Sequence, residues 1–190
     1  MTVSAPVTVT VTRRLGAASL ASLRFSLPSG WATDRHVGIK RRGDPPDGIV
    51  LGFWHLAGVY TNRCQWADAL LSPQVDTTVE GLAAAIATAW GSDASAPVEV
   101  VVDGFRGNHM VLTIFSDVDF ADCDERRFNI WRAVDDTESW FPRRDQIEEL
   151  WIIDIDGDFL LIDATYWQQL SVEDRAELQE IIASVQIGPE

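Results

Sequence analysis

The sequence contains few cysteines, a single lysine and no long apolar run. Only one of its 15 basic residues, Lys40, is a lysine, and the 190 residues include two cysteines. No window approaches 18 consecutive apolar residues. These scarcities argue against a disulfide-stapled miniprotein and against a membrane-spanning helix. The remaining composition, 46% hydrophobic and 23% charged, is that of an ordinary globular domain and not of a disordered chain.

Basic charge is especially scarce in the second half of the chain. Residues 1–95 carry seven acidic and eight basic side chains, whereas residues 96–190 carry 22 acidic and seven basic ones, a net charge of −15. Such a surface repels DNA and RNA, so nucleic-acid binding is not expected. The one basic triplet, at residues 40–42, precedes a run of turn-forming residues and is interpreted as a solvated loop tip. Any charge-driven partner should be basic and should contact residues beyond Ala96.

The two cysteines leave two alternatives open. Cys64 and Cys123 are too far apart for a CxxC redox motif and too few for a structural zinc site. If they form a disulfide, a loop of that length stabilises the protein by about 4 kcal/mol in the chain-entropy model. In a reducing cytoplasm they remain thiols.

Two helices are the clearest elements in the sequence. Apolar residues follow the spacing of one helix face over Val79–Trp90, Thr77 and Glu80 form a capping box, and Gly91 occupies the position of a C-terminal cap. A last helix is predicted to begin at Ser171. Its apolar face consists of Leu178, Ile181, Ile182 and Val185.

Strand patterns surround the first helix and precede the second. Asp156-Gly157 is a strong hairpin signal, and residues 104–108 are predicted to be a turn. The predicted order of strands, helix, strands and helix indicates an α+β domain with a largely antiparallel sheet flanked by helices. One domain, residues 1–190, is expected, with residues 1–20 as an N-terminal strand or extension. The predicted strands span residues 7–11, 23–27, 49–56, 98–102, 110–115, 128–134, 151–155 and 159–164.

Motifs for metal binding and catalysis fail on their spacing. The loop of Asp154, Asp156 and Asp158 lacks the glycine and glutamate that an EF-hand requires, so a hairpin turn is favoured. A second acidic run, at residues 117–125, is interpreted as a solvated loop. The three histidines form neither HxxxH nor HExxH, and no GxSxG, Walker or GxGxxG motif is present. No catalytic residue, metal or cofactor is therefore expected.

Eight tryptophans are the one compositional hint of ligand contact. Most of them lie in or beside predicted elements, where packing in the core is the default. Trp140 and Phe141 differ, because they lie in a charged loop beside Arg143 and Arg144. Tryptophan and arginine are enriched at binding hot spots, so these four residues are the predicted partner-binding site. The alternative is that the apolar pair folds back over an edge of the sheet.

Three segments resemble a known group of proteins. They are FSLPSGW at residues 25–31, the Cys-x-Trp step from Cys64 to Trp66, and the stretch from Leu150 to Ile187. This layout resembles small uncharacterised proteins and lipoprotein-type domains from actinobacteria and is similar to the PsbP-like α/β/α sandwich. The resemblance implies a protein that docks to a partner or holds a small molecule. The chain lacks a signal peptide and the lipobox cysteine of the lipoprotein-type members, so a cytoplasmic location is expected.

The leading hypothesis is a non-enzymatic module that binds a protein partner or a small molecule. One alternative is a hydrolase-like enzyme built from scattered residues such as His55, His109 and nearby carboxylates. The other is an acidic structural subunit that contacts a basic partner.

Overall fold

The structure is a computed structural model that describes residues 7–15, 19–34, 37–41, 48–71, 77–115, 119–135, 137, 144–167 and 170–189. Within these residues, the chain forms two α helices and twelve strands. The helices are α1 (Val79–Trp90) and α2 (Val172–Ala183). The strands are β1 (Val7–Leu15), β2 (Ser19–Leu27), β3 (Trp31–Asp34), β4 (Val37–Arg41), β5 (Gly48–Tyr60), β6 (Leu70–Leu71), β7 (Val98–Val102), β8 (Phe105–Ile114), β9 (Trp131–Ala133), β10 (Gln146–Ile155), β11 (Asp158–Trp167) and β12 (Gln186–Pro189).

The main sheet is antiparallel throughout its described pairings. Its strand order is β3-β4-β5-β11-β10-β8-β7, and the short strands β6 and β9 pair with the far end of β5. A smaller sheet has the order β1-β2-β12. The predicted class, α+β with a largely antiparallel sheet flanked by helices, is confirmed.

Both faces of the main sheet are covered, which gives the molecule two hydrophobic cores. Successive side chains of a strand point to opposite faces, so Leu150 and Ile152 of β10 face one core while Trp151 and Ile153 face the other. We call the first the α1-side core and the second the α2-side core. Fully burying each large apolar side chain contributes about 2 kcal/mol.

The first helix ends as predicted but is capped one residue later than predicted. Thr78, not Thr77, is the N-cap, and its hydroxyl accepts a hydrogen bond from the Gly81 amide. Gly91, with a φ of 62°, is the C-cap. The second helix begins after Ser171, whose hydroxyl accepts from the Asp174 amide. Both caps satisfy amide groups that the first helical turn leaves without a partner.

The hairpin prediction is confirmed, and several other boundaries are wrong. Asp156 and Gly157 both have positive φ values, as a two-residue hairpin turn requires. The predicted turn at residues 104–108 is wrong, because β8 already begins at Phe105 after a turn at residues 103–104. The predicted strand at residues 128–134 is reduced to β9. Lys40 and Arg41 lie in β4 and not in a loop tip.

Candidate functional site

Two adjacent glutamates near the start of β10 introduce charge into the interior. Glu148 and Glu149 are both buried, at 0% and 1% exposure. Because they are consecutive in a strand, Glu148 points to the α1 side of the sheet and Glu149 to the α2 side. A buried carboxyl group requires hydrogen-bond donors or a proton, so each glutamate organises its own polar cluster.

On the α2 side, Glu149 is the centre of what we call the α2-face cluster: Glu149, Tyr166, His109 and Arg175. The Tyr166 hydroxyl donates to Glu149 Oε1 at 2.6 Å, and Arg175 Nη1 donates to the same oxygen at 3.2 Å. His109 Nε2 lies 3.4 Å from Glu149 Oε2. The His109 ring packs on Trp151 with the ring centroids 4.6 Å apart. Residues from β8, β10, β11 and α2 thus converge on one carboxylate.

The surroundings of Glu149 keep its carboxylate ionised. Burial alone would raise its pKa, but His109 and Tyr166, followed by Arg175, stabilise the charged form and hold the pKa below its ordinary value. Burial and the facing Glu149 carboxylate raise the pKa of Tyr166, so its hydroxyl remains a donor. The cluster is therefore a fixed arrangement of one negative charge and several donors.

The α2-face cluster is partly open to solvent. The His109 side chain is 26% exposed and the Arg175 side chain is 51% exposed. Beside them lies an apolar surface, which we call the β8–β10 strip and which consists of Val111, Thr113, Phe115 and Ile147. Thr113 pairs with Ile147, and Val111 pairs with Glu149. Three of the four are partly exposed, and Phe115, just beyond the end of β8, is 51% exposed.

On the α1 side, Glu148 and Asp163 form a closed carboxyl pair. Gln146 Nε2 donates to Glu148 Oε1, and the Thr165 hydroxyl donates to Glu148 Oε2 at 2.8 Å. The Trp131 indole N–H donates to Asp163 Oδ2 at 3.0 Å. Asp163 Oδ1 is buried and receives no hydrogen bond from an N–H or hydroxyl group of the described residues. A proton on Glu148 supplies the missing donor.

The electrostatics of the pair agree with that protonation. Burial, followed by the charge of Asp163, raises the pKa of Glu148 well above its ordinary value. Burial also raises the pKa of Asp163, although hydrogen bonds from Glu148 and Trp131 oppose the rise. Of the two, Glu148 is the residue that holds the proton. The pair lies under Trp131, whose ring packs against Trp54 with the centroids 5.2 Å apart.

A disulfide closes the loops on the α1 side. Cys64 and Cys123 are bonded across a sequence separation of 59 residues. Next to this bond, the Arg63 guanidinium lies 4.7 Å from the centroid of the Phe128 ring and 5.2 Å from that of Trp90. In the chain-entropy model such a bond stabilises the fold by about 4 kcal/mol. Its setting in a packed aromatic cluster is that of a structural bond.

The predicted partner-binding loop lies mostly outside the described residues. Trp140, Phe141 and Arg143 belong to the undescribed residues, so their role stays a prediction. Arg144 is exposed in the turn before β10. Of the five tryptophans predicted to pack in the core, four are buried: Trp54, Trp90, Trp131 and Trp151. Trp31 is only partly buried, and its indole N–H donates to Glu177 Oε2 at 2.9 Å. Trp66 is also a core residue.

The other residues considered from the sequence have local roles. Asp154 Oδ1 accepts from the Gly157 amide within the hairpin turn, and Asp124 Oδ2 accepts from the Ala67 amide. His55 lies in β5, with Nε2 3.5 Å from Asp158 Oδ1. Within the part of the chain that the structure describes, no three His, Cys, Asp or Glu side chains are placed to hold a metal ion. None of the helices in this part is long and apolar enough to cross a membrane.

Sequence reasoning missed most of the α2-face cluster. His109 was considered only as a scattered histidine, and Glu149, Tyr166 and Arg175 were not considered as site residues. A signal was present, because two glutamates and an aspartate interrupt the otherwise apolar strands β10 and β11. Charged residues in such strands indicate a buried polar cluster.

Neither a protein-family profile nor a curated protein matches this chain. The solved structures that are similar to it include LpqN and a cyanobacterial PsbP. LpqN, which is involved in cell envelope biogenesis of Mycobacterium tuberculosis, has a TM-score of 0.50 at 10% identity, over 96% of this chain and 92% of LpqN. PsbP (CyanoP) from the cyanobacterium Synechocystis sp. PCC 6803 has a TM-score of 0.38 at 10% identity, over 87% and 86%. The likeness to LpqN bears out the resemblance at the level of the fold.

Proposed function

We propose that this protein is a non-enzymatic binding module that docks a protein partner on the β8–β10 strip. The observation that carries the proposal is the exposure of this strip beside a preorganised polar cluster. Phe115, half exposed, and the partly exposed Ile147 are apolar side chains that a partner would remove from water. An aromatic anchor surrounded by fixed polar groups is the usual composition of a binding hot spot.

The polar groups beside the strip are suited to recognition because they are held in place. Arg175 is tied to Glu149 at 3.2 Å, and the His109 ring rests on Trp151. A partner that contacts Arg175 or His109 therefore orders few additional side chains, which reduces the entropic cost of binding.

The charge of the surroundings indicates the chemistry of the partner. Every residue of the strip and of the α2-face cluster lies beyond Ala96, in the half of the chain with a net charge of −15. A partner with an apolar centre and a basic rim would be steered toward this acidic half of the chain. The fold similarity to LpqN, a protein of cell envelope biogenesis, is compatible with a role in assembly or docking.

Site-specific photo-crosslinking in the native cells tests the proposal. A benzophenone side chain at Thr113 is expected to capture one basic protein, and the same group at Thr88, exposed on α1, is expected not to capture it. With the captured protein purified, Phe115→Asp should weaken the measured affinity at least about tenfold without lowering the melting temperature. Thr88→Asp is the matched control.

Two results would refute the docking site. One is identical adducts from Thr113 and Thr88, and the other is an affinity that Phe115→Asp leaves unchanged. Added salt should weaken the complex, because opposite charges at the rim are screened.

A second candidate function is a small hydrolase-like enzyme, which the distance of 3.4 Å between His109 and Glu149 favours. In this role the carboxylate would orient the imidazole, and His109 would act as the general base toward water or a substrate hydroxyl. A panel of p-nitrophenyl esters and phosphates tests this activity. Turnover that His109→Ala abolishes supports an enzyme, and no turnover with any member of the panel favours the binding module.

The disulfide favours an oxidising compartment over the cytoplasm expected from the sequence. Intact-mass measurement after alkylation, on protein taken from its native cells without reduction, tests this location. Unlabelled Cys64 and Cys123 are expected, whereas two alkylated thiols would restore the cytoplasmic prediction.

A further inference from the structure

Strand β7 forms an edge of the main sheet and exposes apolar side chains. It pairs with β8 on one side, and no described residue pairs with its other side. Val98 and Val101 are 59% and 66% exposed, on opposite faces of the strand. Two of its valines therefore face solvent, and the outer backbone groups of β7 have no strand partner among the described residues.

Apart from one charged residue, the edge has few of the devices that normally prevent another strand from adding to it. The sequence of β7, VEVVV, contains no proline and no lysine. Its single charge, Glu99, has Oε1 3.8 Å from Arg106 Nη1 on the neighbouring strand. Natural sheets protect edges with inward-pointing charges, proline or bulges, and an unprotected β-branched edge is a template for strand addition.

We propose that a second copy of this chain occupies the edge, with β7 paired antiparallel to β7 of the second copy and Val100 at the two-fold axis. This register pairs all five residues of the strand. It places the exposed Val98 opposite Val102 of the second copy, beside Phe105 on the next strand. Each half of the interface thereby covers a valine that the single copy leaves exposed. The inference does not depend on the proposed function.

The charges of the strand select this register over its neighbours. With Val100 on the axis, each Glu99 lies opposite Val101 of the second copy. A shift by two residues in one direction places Glu99 opposite Glu99, and a shift in the other direction places it opposite Asp103. Like charges directly opposite each other in a sheet are destabilising, so both shifts are disfavoured.

The dimer should be weak and should respond to salt in a characteristic way. Five paired residues form a small interface, typical of transient association. Each copy carries a net charge of −14, so the copies repel each other at low ionic strength. Salt screens this repulsion, and self-association should strengthen from low to physiological salt. A complex with a basic partner would weaken over the same range, so the two associations are distinguishable.

Sedimentation velocity over a concentration series tests the proposal with two substitutions at one position. Val101→Glu places a second carboxylate opposite Glu99 and should weaken the dimer at least about tenfold. Val101→Lys places an ammonium group opposite Glu99 and should leave the dimer as tight as the wild type or tighter. Gln179→Glu and Gln179→Lys make the same charge changes at an exposed position of α2 and should leave the dimer close to wild type.

The outcomes decide between specific pairing and general charge repulsion. A wild-type protein that stays monomeric at every concentration and salt level overturns the proposal. Equal effects of Val101→Glu and Val101→Lys also overturn it, as do Gln179 variants that reproduce the difference. Val101 is exposed in the single copy, so its substitution should disturb no buried contact. Melting curves are therefore expected to show that each variant is folded.

Discussion

Glu148 and Glu149 are neighbours in the sequence and both are inaccessible to solvent, yet their surroundings shift the pKa values of the two carboxyl groups in opposite directions. Glu149 receives donors from Tyr166 and Arg175 and stays ionised on a partly open face. Glu148 faces Asp163 on the closed face and holds a proton. Burial alone therefore does not determine the charge of a carboxyl group, because the number of nearby donors and acidic neighbours decides it.

Paired substitutions to glutamine give the largest contrast between the two sites. Glu149→Gln removes an ionised carboxylate and leaves Arg175 and Tyr166 without their charged partner, so stability should fall by about 2 kcal/mol. Glu148→Gln replaces a neutral acid with a neutral amide that can donate to Asp163 but can accept from only one of Gln146 and Thr165, so stability should fall by about 1 kcal/mol or less.

Denaturant unfolding at neutral pH measures both values. A similar loss in the two variants would mean that Glu148 is ionised and would remove the contrast. Glu180→Gln, at an exposed position of α2, gives the size of the effect at a position outside the two clusters.

Glu148 and Glu149 should make opposite contributions to the pH dependence of the free energy of unfolding. Glu148 has a folded-state pKa above its unfolded value, so its contribution is fully present below the unfolded pKa and is lost as pH rises through the folded pKa. Glu149 has a lowered folded-state pKa, so its contribution is present above the unfolded pKa and is lost as pH falls through the folded one.

Melting temperatures across pH separate the two contributions. Glu148→Gln should flatten the loss of stability that develops as pH rises above the ordinary pKa range of a glutamate, and Glu149→Gln should flatten the loss at acid pH. A loss with rising pH that persists in Glu148→Gln would assign it to other groups.

The sequence predicted the elements whose signals are local. The apolar spacing over Val79–Trp90 and the glycine after it define α1, and Asp156-Gly157 defines the β10–β11 hairpin. The cap is Thr78 and not Thr77, because Thr78 directly precedes the first helical residue and its hydroxyl accepts from the Gly81 amide. The strand predicted at residues 128–134 is too long because Phe128 and Ile130 are apolar and buried but lie outside β9.

The two polar clusters depend on long-range register, which the sequence does not encode locally. Trp131 meets Asp163 only because β9 pairs with the far end of β5, the strand next to β11, and His109 meets Glu149 only through the β8–β10 pairing. The residue types in β10 nevertheless indicate part of the site. A pair of glutamates in the apolar segment IEELWIIDI predicts buried polar groups, whereas the sequence does not predict which residues form hydrogen bonds with them.

The smallest difference in stability between the two faces should come from removing the two hydroxyl groups that donate hydrogen bonds to the glutamates. Thr165 and Tyr166 are also adjacent and also face opposite sides, and each donates to one glutamate. Tyr166→Phe removes a hydrogen bond to an ionised acceptor and should cost about 1.5 kcal/mol, whereas Thr165→Val removes one to a neutral acid and should cost about 1 kcal/mol or less.

The same pair also reports on pKa. Without the Tyr166 hydroxyl the pKa of Glu149 should rise, so the acid-side loss of stability in Tyr166→Phe should begin at a higher pH than in the wild type. Thr165→Val should leave that acid side unchanged, because Thr165 serves the opposite face. If Thr165→Val instead moves the acid side and Tyr166→Phe does not, Glu148 is the ionised residue and the assignment of the two faces is reversed.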